Sequence, residues 1–133
     1  MSFPNTNPTV TASWNKLVQL ATQIKTTQEY FTADSSRAET FSIAWEQFFV
    51  DYSKNHIDKE IKETLVALAK EVGLEEARTA YFDGKAINQT EGRSVLHTAL
   101  RASKNANIQV DGKNVVPEVY AVREQIRNFS KSV

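Results

Sequence analysis

Apolar positions recur at three- and four-residue steps along most of this chain and at two-residue steps in one short stretch. That pattern predicts a mainly α fold with one or two short β-hairpins. Trp14, Leu17, Val18, Ala21 and Ile24 line one face of a helix that starts at Ser13 or a residue earlier, with Thr11 and Ser13 as capping candidates. Residues 26–40 are polar around Tyr30-Phe31, which predicts short, broken helical turns. From Phe41 the period changes. Phe41, Ile43 and Trp45, then Phe48, Val50 and Tyr52, alternate with polar or small residues, predicting a hairpin over about 41–53. Its connection, Glu46-Gln47, lacks the Gly or Asn of a tight turn, so a helix over 41–50 is the alternative.

Asp58 caps the next helix, whose apolar face is Ile61, Leu65, Leu68, Ala69 and Val72, and Gly73 stops it. A shorter helix over 75–83 stops at Gly84 in the same way. Thr90 is placed to cap a helix running to about Arg101, with Val95, Leu96, Ala99 and Leu100 apolar. Residues 103–107 form a polar loop. Asp111-Gly112 between Ile108–Val110 and Asn114–Val116 predicts a second hairpin over about 108–116. Pro117 opens a final helix carrying Val119, Val122, Ile126, Phe129 and Val133. With no repeat or linker inside it, the chain divides into an irregular lead-in, residues 1–10, and a single mostly helical domain, residues 11–133.

Length and composition agree with this reading and narrow the function. The 133 residues are 41% hydrophobic and 24% charged, the balance of an ordinary globular domain. Sixteen basic residues match sixteen acidic ones, so there is no electrostatic footprint for nucleic acid or an anionic membrane. The absence of cysteine excludes disulfides and thiolate metal sites and fits a reducing compartment. The N-terminus has neither the basic flank nor the apolar run of a signal peptide, and no stretch approaches the roughly 20 apolar residues of a membrane span. A cytoplasmic protein is the expectation.

Candidate chemistry is sparse. The two histidines, His56 and His97, lie outside any zinc-ligand spacing, and no metal site is expected. Arg93, His97 and Arg101 repeat at four-residue steps and would share one helical face. That stripe reads either as an anion contact or as structure, with Arg101 favouring a helix C-terminus and Arg93 and His97 paired with carboxylates elsewhere. The pairs Glu60/Glu63 and Glu75/Glu76 sit among lysines and arginines and read as solvated faces. Phosphate binding through backbone N–H groups usually needs clustered glycines, whereas Gly73, Gly84, Gly92 and Gly112 are scattered. The alternating strand–helix series of a sugar-phosphate domain is missing too.

Several stretches, in this order, resemble the opening portion of the glucose-6-phosphate isomerase family. They are Val50-Asp-Tyr-Ser-Lys-Asn55, Gly73-Leu-Glu-Glu-Ala77, Lys85-Ala-Ile-Asn-Gln-Thr-Glu-Gly-Arg93 continuing through Val95-Leu-His-Thr-Ala-Leu-Arg101, Val110-Asp-Gly-Lys-Asn-Val-Val-Pro-Glu-Val119, and the helix ending Asn128-Phe-Ser-Lys-Ser-Val133. The resemblance runs from about residue 12 to the end. It implies a cytoplasmic homodimer of glycolysis and gluconeogenesis that interconverts glucose 6-phosphate and fructose 6-phosphate without metal or cofactor. In the family a histidine and a lysine open the ring, a glutamate moves the proton through an enediol, and an arginine stabilises that intermediate. A Ser/Thr-rich loop with nearby glycines holds the phosphate.

None of those positions has a counterpart here, so no catalytic, cofactor-binding or metal residue is expected in this chain. The expectation is an N-terminal segment, lacking the downstream α/β sugar-isomerase domains and catalytically silent when isolated. It would partner the remainder of the isomerase and a second subunit, and meet hexose phosphate only in the full enzyme. The alternative is a stand-alone helical interaction module related to the isomerase. Apolar faces meant for downstream domains would be exposed in the isolated chain and drive it to self-associate.

Overall fold

Caps and stops written into the sequence set most of the boundaries in the computed structural model, which describes residues 5–133. These form two compact units, one of residues 6–72 and one built on residues 73–133. Among the described residues are seven α-helices and two two-stranded antiparallel hairpins, a mainly α fold. No helix is long and apolar enough to cross a membrane.

The first unit begins more regularly than expected. Residues 1–4 of the anticipated lead-in lie outside the described residues, but Asn7 Oδ1 accepts the Thr9 amide at 3.0 Å and caps a 3-10 turn, Pro8–Val10. Thr11 Oγ1 then accepts the Trp14 amide at 3.2 Å and starts α1, Ala12–Ala21. This helix packs on α4, Lys59–Glu71, which Asp58 caps by accepting the Ile61 amide at 2.9 Å. At the crossing, Glu71 takes the Ser13 hydroxyl at 2.8 Å and the Ser13 amide at 3.2 Å. Those bonds, the hydroxyl first, hold the Glu71 carboxyl below its ordinary pKa and bring a negative charge to the N-terminus of α1. Ser13 is therefore buried, while Trp14 and Val18 of the expected apolar face are exposed.

Between those helices the chain makes two short helices, α2 (Thr27–Ala33) and α3 (Arg37–Thr40). A reciprocal capping box between Thr26 and Glu29 starts α2. The stretch after Phe41 is a hairpin, not a helix. Strands β1 (Ser42–Trp45) and β2 (Phe48–Asp51) pair Ile43 with Val50 and Trp45 with Phe48. The two-residue loop dispenses with glycine by holding Glu46 at φ 49°, a left-handed conformation that costs a non-glycine residue roughly 1–2 kcal/mol.

A buried arginine ties this unit together. Arg37 is 2% exposed. Its Nε donates to the Ser53 carbonyl at 2.7 Å, and its Nη2 donates to those of Asn55 and Ile57 at 2.9 and 2.7 Å. The guanidinium lies 4.5 Å from the Tyr30 ring centroid and 4.4 Å from that of Phe41. Phe41 in turn meets Tyr52 edge to face at 5.7 Å, closing the base of the hairpin.

The second unit opens with α5, Leu74–Phe82, entered through Gly73 at φ 77°. The Lys85 amide reaches back to the Ala80 carbonyl (3.0 Å) and the Gly84 amide to that of Tyr81 (3.4 Å), a Schellman stop with glycine at its left-handed position. The helix expected over 90–101 is a correction. Only α6, His97–Arg101, is helical. Residues 88–93 instead form a tight loop closed by paired Asn88–Arg93 backbone bonds of 3.0 and 3.2 Å, with Gly92 at positive φ. Strands β3 (Gln109–Val110) and β4 (Lys113–Asn114) flank the expected Asp111-Gly112 turn, both of whose residues have positive φ. Asn114 Oδ1 then accepts the Ile108 and Val116 amides and aims the chain into α7, Val116–Ser132. Ala80, Ala99 and Val116 are buried, α6 packs on α7, and beyond Tyr120 the long helix is exposed all round.

Candidate functional site

A cleft of about 800 Å3 opens in the second unit, between the stop of α5, the 85–96 loop and β3. Its floor follows from one close approach. Gly84 faces the strand so closely that an added Cβ would sit 2.8 Å from the Gln109 carbonyl oxygen. Ser94 Oγ donates to the Gly84 carbonyl at 2.5 Å and draws the loop over the same point. Apolar groups from Ala80, Ile87, Leu96 and Val110 line the interior, with Asp83, Lys85, Arg93 and Asp111 among the polar lining.

Three of these polar groups, Asp83, Lys85 and Arg93, are engaged. Lys85 lies 3.8 Å from Asp83, and Arg93 grips the Glu91 carboxylate through Nε (3.0 Å) and Nη2. Glu91 also accepts from Asn88 Nδ2, and its own amide donates to Asn88 Oδ1, so this network builds the loop. These pairs are exposed, in the range where an ion pair contributes about 0–1 kcal/mol.

The Arg93, His97 and Arg101 stripe is not assembled. Arg93 is in the loop and pairs with a carboxylate two residues away, not across the fold. His97 begins α6 and is exposed, and Arg101 donates to the His97 carbonyl at 3.3 Å, the helix-terminal role that the structural reading gave it. His56 is an exposed loop residue. Glu60 and Glu63 pair with Lys16 and Lys59, and Glu75 and Glu76 are exposed.

Among the described residues three carboxyls are shifted, all downward and all by hydrogen bonds: Glu29 from the Thr26 amide and hydroxyl, Asp51 from the Ser53 hydroxyl and amide, and Glu71 from the Ser13 hydroxyl and amide. Each shift weakens the group as a base, opposite to the tuning a proton-abstracting carboxylate needs. Among the described residues no three His, Asp or Glu side chains converge as metal ligands. Sequence reasoning took Gly84 for a helix stop and missed its contact with β3. No local signal marks that contact, because its partner Gln109 is distant in sequence.

Compared with known proteins, residues 51–133 match the family model described as phosphoglucose isomerase. Two curated relatives, both called glucose-6-phosphate isomerase, are similar over nearly the whole chain. The one from Christiangramia forsetii is 50% identical over 131 residues, 97% of this chain and 24% of the relative. The one from Wigglesworthia glossinidia brevipalpis is 44% identical over 128 residues, 94% of this chain and 23% of the relative. The chain thus spans about a quarter of the length of the curated relatives it matches.

Proposed function

Because the chain belongs to the phosphoglucose isomerase family, we propose that it supplies the helical amino-terminal part of an enzyme interconverting glucose 6-phosphate and fructose 6-phosphate, and that alone it is catalytically silent. In this reading residues 11–133 serve as one such portion of a cytoplasmic homodimer, and the isolated chain self-associates through open apolar faces such as that of Val122, Ile126 and Phe129 on α7.

How the glycines are used carries the argument for silence. A phosphorylated sugar is gripped by backbone N–H groups that converge where the chain can turn sharply. Here Gly73 joins two helices, Gly84 ends α5 against β3, Gly92 turns the 88–93 loop, and Gly112 turns the second hairpin. Each is committed to a different local bend. Proton transfer between adjacent carbons further needs a base shielded from water and tuned toward neutrality. The shifted carboxyls are moved the other way, and both histidines face solvent.

The test is an isomerase assay with fructose 6-phosphate on the purified chain, and on the C. forsetii enzyme with its matching segment replaced by this one. The chain alone should give no turnover and the exchanged enzyme should be active. Turnover by the chain alone at about 1 s−1 or faster, the lower end of ordinary enzymes, overturns its silence. A dead exchanged enzyme beside an active parent overturns the assignment.

A further inference from the structure

One face of the β1–β2 hairpin is apolar from end to end and open. Pairing puts Ile43 beside Val50 and Trp45 beside Phe48 on that face, with the Trp45 and Phe48 rings stacked at 5.7 Å. The four residues are 52–65% exposed. The base beneath them is held firmly. Phe41 is buried against Tyr52, the Tyr52 amide bonds the Phe41 carbonyl at 2.9 Å, and Arg37 grips the connection that follows. A rigid apolar face loses little conformational freedom when covered, which favours docking.

Area decides between two occupants. Since an aromatic side chain buries roughly 150–250 Å2, these two aromatics and two aliphatics, each more than half open, present on the order of 500 Å2. A stable complex between separate molecules needs about 800 Å2 from each partner. Hairpin on hairpin between two copies falls short of that, and each copy would also lose its translational freedom. A surface already tethered in the same molecule loses none and acts at a high effective concentration. The curated relatives carry about three-quarters of their length outside the matched segment, ample polypeptide to provide such a surface.

We infer that the Ile43, Trp45, Phe48 and Val50 face docks on an apolar surface in the rest of the isomerase, covalently continuous with this segment, and not on a second copy of the segment. The inference rests on the isomerase reading, and the segment-exchanged C. forsetii enzyme separates the two. Its activity tests the reading, while hydroxyl-radical footprinting of Trp45 and Phe48 tests the docking. Both rings should label readily in the isolated chain and be protected at least fivefold in the exchanged enzyme. Equal labelling in an active exchanged enzyme overturns the docking and leaves the reading intact. Protection already present in the isolated chain at micromolar concentration, together with a sedimenting dimer, also overturns it and makes a second copy the occupant. Trp45→Ser with Phe48→Ser should lower the urea midpoint of the isolated chain only slightly, by the loss of one cross-strand pair, and lower that of the exchanged enzyme clearly more. An equal fall in both would mean that the rings only hold the hairpin together, and would refute the inference.

Discussion

Arg37 offers the sharpest test of how the first unit is held together. Its guanidinium supplies three short hydrogen bonds to carbonyls of an irregular connection, residues 53–57, in which the Asn55 carbonyl also accepts the Ile57 amide at 2.8 Å. Hydrogen bonds from a charged donor contribute about 1.5–3 kcal/mol each, and a desolvated cation between two rings adds up to about 2 kcal/mol. Against these stands the cost of burying the charge, several kcal/mol. Replacing Arg37 by alanine removes the gains, orphans at least the buried Ser53 carbonyl and leaves a void between Tyr30 and Phe41. A loss of about 4 kcal/mol is expected, comparable with breaking a buried ion pair. With a urea slope of about 1.5 kcal/mol per molar, the midpoint would fall by more than 2 M.

Two further variants separate charge from volume. Arg37→Lys keeps the charge, but its ammonium cannot reach three carbonyls from a flat fork, and about 2 kcal/mol should be lost. Arg37→Met fills the void without donors and should lose about 3 kcal/mol. Urea unfolding followed by tryptophan fluorescence gives the ranking, and hydrogen exchange should quicken across residues 53–57 in all three variants. Arg37→Met as stable as the native protein would refute the reasoning, because the carbonyls would then have found water and the cation would have contributed nothing net.

Gly84→Ala should cost about 2–3 kcal/mol, since the position combines φ 72° with a carbonyl oxygen 2.8 Å from the new Cβ, whereas Gly92→Ala at φ 63° meets nothing within 4 Å and should cost about 1 kcal/mol. Equal urea midpoints for the two variants would remove the close approach to β3 from the account. Glu71 has a folded-state pKa below its ordinary 4.5, so its contribution is complete above that value and is lost as pH falls through the depressed one. Glu71→Gln should therefore flatten the fall in stability as pH drops below the ordinary carboxylate range, and an unchanged acid slope would show that the Ser13 bonds do not hold in solution.

Features that the sequence disclosed are those whose cause is local. Asp58 and Gly73 bracket α4 because a carboxylate satisfies the first free amides and a glycine adopts the left-handed stop. Asp111-Gly112 forms its turn for an equally local reason, as both residues tolerate positive φ. Illegible features depend on partners distant in sequence. Ser13 is buried because Glu71, 58 positions later, holds it, and the apolar spacing of α1 does not encode which side that covers. Arg37 looks like one more charge in a polar stretch until the chain brings carbonyls 16–20 residues away around it.

The failed helix over 90–101 shows how local signals can mislead when two compete. Thr90 could cap a helix, and Arg93, His97 and Arg101 share its spacing, but Gly92 weakens such a helix by about 1 kcal/mol relative to alanine. Asn88 meanwhile offers the Glu91 amide an alternative bond, and Arg93 and Ser94 gain partners in Glu91 and Gly84 that a helix would deny them. Several modest side-chain bonds thus outweigh about two turns of helix. The same competition bears on function, because it takes Arg93 away from His97 and Arg101 and leaves no stripe of three side chains for an anion to meet. On the proposed isomerase reading, the phosphate cradle lies in polypeptide outside this segment, in keeping with its dispersed glycines.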